Sequence, residues 1–588
     1  MRAKSILFIA ALAVLTACGG GKKKEDKVEK AKGTMKIGNQ EVAIYKGGVF
    51  KMNQSEKPST IFPHGCGELT GHQIANQLYE GLVRLNQGTL KVENALAEDV
   101  NVSEDATVFT YTLRKGVKFH DDVCFKGGKG REVTANDFKY CLDQLCTPTT
   151  LTKTKQNELG GLVKSKILGA QEYYDACNDG QAPEGGVEGI KVLDDYTLEI
   201  TLAEPFAGFN KIMSTPAGWV FPKEAVEAYG EEMRDHPVGT GPFMAKSIDL
   251  NKAVFLKRNP NYWDMDEHGN ELPYLDGLKF TFIPEKKTEF QSFNKGDLDM
   301  VWRIPVDEID NVLADLGDAS NNAKQILQSA SGMTIQYYAF LQGSPVFNDK
   351  RVRRAFNLAI DREKLVNYTL HGEGEPAIYG FCPPIEGYPY EDIDGYEFTE
   401  ESLAEARRLL AEAGYPNGRG FPRVKLQLNR GGNINLLVAE AVQHQLKENL
   451  GVTIEFDILP LNQHRLKFET GNTDFWRIAW VADYPDPENF LNLFHGKYVP
   501  DDKNERTLYN ATRYKNPAFD EVFDRAVQTV DDAERMKLFA EADQILVDDA
   551  VVLPLYYESY QRLVAKKVKN FPINGMEYRD FTRVFFDK

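Results

Sequence analysis

Apolar residues recur at alternate positions in three separate stretches of the chain: Phe109, Tyr111 and Leu113; Tyr196, Leu198, Ile200 and Leu202; and Leu278, Phe280 and Phe282. Successive side chains of a strand point to opposite faces, so each stretch predicts a strand with one buried face. A fourth run, FWRIAWVA at 475–482, is rich in aromatic and β-branched residues, and Pro485 and Pro487 stop it from continuing as a strand. Helical spacing is equally legible. Thr134-Ala135-Asn136-Asp137 has capping-box spacing ahead of Phe138, Cys141, Leu142 and Leu145. Residues 401–413 read as a second helix closed by Gly414, and 435–450 as a third, with Leu437, Val438, Val442 and Leu446 on one face and Gly451 at its end. Strand and helix signals alternate along the chain without internal repeats, which predicts a mixed α/β protein.

The front of the chain is different. Arg2 and Lys4 precede an apolar stretch at 6–15, followed by Leu15-Thr16-Ala17-Cys18. This is the pattern of a secretory signal, too short to stay in a bilayer as a spanning helix. The small residues before Cys18 resemble the lipobox of bacterial lipoproteins. That resemblance implies removal of residues 1–17 and acyl chains on Cys18; an ordinary cleaved signal with a chance cysteine is the other reading. Residues 18–33 carry glycines and charges of both signs with almost nothing apolar, and predict a flexible tether.

The formal charge of −17 makes nucleic acid a poor partner and suits a secreted body that must stay soluble. At about 150 residues per domain, the length predicts three or four modules. Beyond Cys18 there remain Cys66, Cys124, Cys141, Cys146, Cys177 and Cys382, an even number that permits disulfides in an oxidising compartment. Four of them between 124 and 177 suggest local stapling. No C-x-x-C pair, H-E-x-x-H, phosphate loop or G-x-S-x-G occurs, so neither a metal nor a cofactor is expected.

The candidate chemistry sits in WVADYPDPENF at 480–490, where Asp483 follows the apolar run at a strand end. A partly buried carboxylate needs a cation. Flanked by Trp480 and Tyr484, it can hold a ligand ammonium through a charge-assisted hydrogen bond with cation–π support, or it can simply cap the Pro-rich turn.

Several segments in order resemble family 5 of the bacterial extracellular solute-binding proteins, the oligopeptide- and dipeptide-binding group of ABC importers. They are AEDVNVSEDATVFTYTLRKGVKFHDD at 97–122, REVTANDF at 131–138, GTGPF at 239–243, KRNPNYW at 257–263, FNDKRVRRAFNLAIDREKLV at 347–366, LLAEAGYPNG at 409–418, NLGV at 449–452 and WVADYPDPENF. The resemblance implies a two-lobed α/β fold of the periplasmic-binding-protein type (type II) with an extra domain inserted in lobe I. Lobe I would comprise 34–85, 195–303 and 546–588, the insertion 86–194 and lobe II 304–545, with the ligand buried by closure.

For the site, the resemblance implies that Asp483 pairs with the α-ammonium of a peptide and that main-chain groups around Ala482 pair with its backbone as an added strand. A lobe I loop near Cys66 and Gly67 would close from the other side. Arg430 matches the carboxylate-binding position of dipeptide-binding relatives and Arg477 that used for longer peptides, so peptide length stays open. Ile61-Phe62-Pro63, followed by Cys66, stands where the family usually has Leu-Asp-Pro, which leaves pocket size and side-chain preference open.

The expected function is therefore that of a monomeric, lipid-anchored receptor in the cell envelope, facing the periplasm or the exterior. It captures peptides and delivers them to ABC permease subunits served by a separate ATPase. Relatives that bind nickel, haem or oligosaccharides supply the alternatives, as does a sensor lipoprotein without transport. No catalysis is implied, since neither a nucleophile nor a metal set accompanies Asp483 and Asp486.

Overall fold

The computed structural model describes residues 28–305, 308–309, 311–312, 314, 324–430, 432–502, 505–507 and 509–588. Cys18 lies outside them. The chain begins with a hairpin, β1 (Val28–Ile37) against β2 (Gln40–Gly47). The end of the expected tether is instead part of this hairpin: 28–30 pair with 45–47, and 31–33 form a bulge before pairing resumes at Thr34. The reason is local docking. The side chain of Asn270 accepts the Lys32 N–H at 3.1 Å and donates to the Lys32 carbonyl at 2.9 Å. Ala31, Met35 and Ile37 pack beside Ile44, Tyr262 and Tyr274. Gly33 is needed at the bend: its φ is +79°, and a Cβ there would fall 2.3 Å from the His268 ring.

Lobe I is built on two four-stranded sheets. In the first, β3 (Val49–Asn53) lies parallel to β12 (Gly277–Thr281), followed by β11 (Ala253–Arg258) and β10 (Phe243–Asp249). A small pair, β4 (Val83–Leu85) and β5 (Val92–Asn94), leads to the second sheet: β6 (Ala97–Val102), β7 (Val108–Leu113), β9 (Thr197–Thr201) and β8 (Ile190–Asp194), all antiparallel. The alternation holds: Phe109, Tyr111, Leu113, Leu198, Ile200, Leu202, Leu278, Phe280 and Phe282 are buried, while Tyr196 is half-buried. Thr134 caps the helix Ala135–Leu145 through a reciprocal capping box with Asp137. These elements share one core with Phe50 and Phe586. The insertion is thus not separately cored. A boundary at 194 would cut the β8–β9 hairpin, because consecutive strands joined by a tight turn pair with each other.

Lobe II surrounds a larger sheet in the order β13 (Met300–Trp302), β19 (Val552–Ala565), β14 (Gln325–Phe340), β18 (Phe475–Val481), β16 (Val424–Asn429) and β17 (Ile454–Leu459), with β15 (Glu375–Pro376) added on β19. Its core contains Phe340, Phe356, Phe475, Trp476 and Leu553. The helix Glu400–Glu412 is capped by Thr399 and Ser402. In the helix Gly432–Leu450, Val438, Val442 and Leu446 are buried, but Leu437 is exposed, one residue off that face.

The lobe limits at 303/304 and 545/546 also shift. The two long strands β14 and β19 run through both lobes side by side. Residues 325–331 pair with 559–565, and 335–339 with 552–557; the register slips between Ser331 and Ile335. The first half of β19 therefore belongs to lobe II, and the first half of β14 packs beside Val301 and Phe293 on the lobe I side.

The expected disulfides are absent: Cys66, Cys124, Cys141, Cys146, Cys177 and Cys382 are all free thiols. All but Cys124 are buried, where a thiol serves as a small apolar group. Among the described residues no helix is long and apolar enough to cross a membrane.

Candidate ligand-binding site

β18 supplies the floor of the site. Along one edge it pairs with β14 from Thr334↔Val481 to Phe340↔Phe475. Along the other it meets β16 only at Gln427↔Trp476. From Ile478 to Val481 that second edge has no strand neighbour among the described residues, so its backbone groups suit a strand supplied by a ligand. Ile478, Trp480 and Ala482 pack toward the lobe II core. Period-two alternation therefore turns Arg477, Ala479 and Val481 to the cleft.

The turn after β18 sorts the acids. The Ala482 N–H donates to the Met333 carbonyl at 3.0 Å, so it is not free for a ligand backbone. The turn is capped by Asp486, whose Oδ1 accepts the Glu488 N–H at 2.9 Å. Asp483 is left for other work. Its N–H donates to Asn489 Oδ1 at 3.0 Å, and Asn489 Nδ2 donates to Asp483 Oδ2 at 3.3 Å. Trp480 Nε1 donates to the same Asn489 Oδ1 at 3.0 Å. Trp480 thus orients Asn489 from the core side and is not part of the cavity wall. Among the described residues no cation pairs with Asp483. Asp483 is exposed at the cleft rather than partly buried as expected. Desolvation by the surrounding walls still pushes its carboxyl above the ordinary value against the pull of the Asn489 amide, and Glu488 adds to the rise.

Asp486 is the opposite case. Burial alone would raise it, but Arg535 at 2.5 Å and Lys211 at 2.7 Å hold it at about 2. Lys211 belongs to the lobe I helix Phe209–Met213 and Arg535 to the lobe II helix Asp532–Asp548, so this carboxylate ties the lobes together. Glu488 does the same with Lys166 of the insertion at 3.3 Å, and accepts the Tyr484 hydroxyl proton.

Facing Asp483 across a cavity of about 340 Å³ are Cys66 and Gly67, at the start of the helix Leu69–Ala75; Ala482 and Tyr484 also line it. Burial, with Glu68 and Glu158 adding to it, pushes the Cys66 thiol far up, so it stays protonated. Burial also lowers His72 in this wall to about 4, leaving a neutral imidazole. Five expected residues thus meet in one cavity: Cys66, Gly67, Ala482, Asp483 and Tyr484.

The two arginines lie elsewhere. Arg477 is held by Asn429 Oδ1 at 3.2 Å and by Gln336 Oε1. Gln336 in turn donates to Glu558 Oε1 at 2.8 Å, and Arg303 pairs with Glu558 at 3.3 Å. Burial lowers the Arg477 pKa, partly offset by Tyr556, Tyr338 and Glu558, and it remains a guanidinium cation. Arg430 is exposed just beyond β16, its N–H bonded to the Leu459 carbonyl at 2.8 Å.

Asn489, Met333, Tyr560 and Met576 were not anticipated. Asn489 carries a faint signal, an Asx side chain six residues after Asp483 across a Pro-rich turn. The others come from distant segments without any pattern of their own.

A cavity between two lobes crossed by paired long strands defines a two-lobed solute-binding protein of the type II periplasmic-binding fold. Residues 91–501 match the family described as "Bacterial extracellular solute-binding proteins, family 5 Middle", and the chain belongs to that family. It is 28% identical over 521 residues to the periplasmic oligopeptide-binding protein OppA of Salmonella typhimurium, covering 87% of each chain. It is 26% identical over 549 residues to the dipeptide-binding protein DppE of Bacillus subtilis, covering 90% of this chain and 91% of that one. Among solved structures, it resembles the unliganded open form of the murein tripeptide-binding protein MppA, with a TM-score of 0.75 and 25% identity over 92% of this chain and 97% of the other. It also resembles the oligopeptide-binding protein OppAIV of Borrelia burgdorferi, with a TM-score of 0.66 and 25% identity over 92% of this chain and 100% of that one.

Proposed function

We propose that this protein is the peptide-binding component of an ABC importer, anchored to a membrane through a lipidated Cys18 and passing its ligand to permease subunits served by a separate ATPase. The observation that carries the reading is Asp483: a carboxylate exposed to an interlobe cavity, paired with no cation among the described residues, at the end of a strand whose second edge has no described strand neighbour. A peptide supplies both missing parts, an ammonium for the carboxylate and a backbone for the edge. The names of the relatives, which bind oligopeptides, dipeptides and murein tripeptide, support the same class.

For the ligand carboxylate, Arg477 is the better placed arginine. It shares the cleft face with Val481, and four residues of strand separate them by about 13 Å at ~3.3 Å per residue. A dipeptide anchored at Asp483 spans only about 7 Å on the same scale and falls short of Arg477. The reading therefore favours peptides of about four residues or more. Arg430 has no part in this arrangement. The test is mass spectrometry of whatever the purified protein releases on denaturation. Peptides of that length are expected; a haem, a saccharide or a metal ion would replace the reading.

A further inference from the structure

The cavity that Asp483 faces has a wall that the anchor alone does not account for. Its described lining holds one other charged residue, Glu68, and neither Lys nor Arg. Glu68 already accepts the Ser59 N–H at 3.0 Å. The nearby hydroxyls are committed as well: Ser214 donates to the Lys211 carbonyl at 2.7 Å, Thr215 to the Ile212 carbonyl at 2.7 Å, and Tyr484 to Glu488. The rest of the wall is mainly apolar, with Leu159 and Leu162 from the insertion, Met333 at the strand crossing and Met576. Two more apolar residues of the lining, one from each lobe, are open to solvent, Leu69 at 43% and Val481 at 60% exposure. Covering such surface with another apolar group is favourable, whereas covering it with a charge is costly.

The cavity, about 340 Å³, is also far larger than an ammonium needs. We propose that it receives the side chain of the ligand's first residue and selects a large apolar one, of the Leu, Met or Phe class, over small or acidic residues. This rests on Asp483 holding the α-ammonium. Ammonium and first side chain leave the same carbon, so fixing one at Asp483 sets the other in this cavity. Met333 and Met576 are unbranched and polarisable, which lets the wall fit several apolar shapes rather than one. Each methylene buried is worth about fourfold in affinity.

The test is calorimetric titration of the purified chain with pentapeptides X-Ala-Ala-Ala-Ala, where X is Ala, Leu, Met, Phe or Asp. Leu, Met and Phe should each bind at least about tenfold tighter than Ala, and Asp more weakly than Ala. Equal affinities, or a preference for Ala or Asp, would overturn the selection while leaving a peptide receptor. No binding by any peptide would overturn the peptide reading and this inference with it. In a folded Leu162→Glu variant, the preference for Leu over Ala should shrink and a Lys-first peptide should gain affinity. An unchanged ranking there would count against this wall as the selector.

Discussion

Asn489 holds Asp483 at two points: its side-chain oxygen accepts the Asp483 N–H at 3.0 Å, and its amide donates to Asp483 Oδ2 at 3.3 Å. The same oxygen takes the Trp480 indole proton, so a core residue, a turn residue and the carboxylate move as one unit. Asn489→Ala should leave the protein folded and weaken peptide binding by about 1–2 kcal/mol, the scale of one or two lost hydrogen bonds. Calorimetry with one tight peptide checks this; unchanged affinity would show that the pairing does not position the anchor.

Asp483 also gives peptide binding a pH signature. Desolvation in the cleft raises its carboxyl in the free protein, and a ligand ammonium lowers it again, so protonation competes with binding. Affinity should fall as pH drops, starting above the ordinary carboxyl range near ~4, and fall again above ~8 as the peptide amine loses its proton. Asp483→Asn should remove the acid limb and keep the alkaline one. An acid limb of the same position and size in that variant would assign it to another group.

The buried Asp486 has a depressed pKa, which sets the sign of its effect on stability. Held at about 2 in the fold and near ~3.9 when unfolded, it contributes stability that is fully present above the unfolded value. That contribution is lost as pH falls through about 2. Its size is ~2–3 kcal/mol. Asp486→Ala leaves Lys211 and Arg535 without their shared partner and should cost about 3–5 kcal/mol at neutral pH, read by urea unfolding. A loss below ~0.5 kcal/mol would show that water or another acid replaces the carboxylate.

Length preference separates the two arginines. Arg477→Gln should weaken a tetrapeptide by about tenfold or more and leave a dipeptide unchanged, while Arg430→Gln should affect neither, because a lost charge-assisted bond costs ~1.5–3 kcal/mol only where it was made. Titration of both variants with both ligands checks it. A loss confined to Arg430→Gln would move the carboxylate site to the end of β16.

Local pattern made much of the fold legible. Alternation at Phe109–Tyr111–Leu113 and the box at Thr134 and Asp137 depend on neighbours in sequence, and each element formed where its pattern stands. What failed depended on partners far away. Val28 to Gly33 look like a tether until Asn270 and His268 dock them, and the lobe limits moved because β14 and β19 pair across more than two hundred residues of chain. The site divides in the same way. Asp483 is visible from its place after an apolar run, and Cys66 and Gly67 from the family resemblance. Leu162, Met333 and Met576 converge only in the folded chain and carry no motif. Asp486, only three residues from Asp483, is drawn into the Lys211 and Arg535 pair that no local pattern announces.

The central claim is that Asp483 binds a free α-ammonium. Its most direct measurement is calorimetric titration of the wild-type chain with one tight peptide and with the same peptide acetylated at its N-terminus. Acetylation removes the charge while keeping the backbone and side chains, so affinity should drop by at least about tenfold, the ~1.5–3 kcal/mol of a charge-assisted bond. In Asp483→Asn the two peptides should differ much less. Equal binding of the free and acetylated peptides by the wild-type chain would contradict the account.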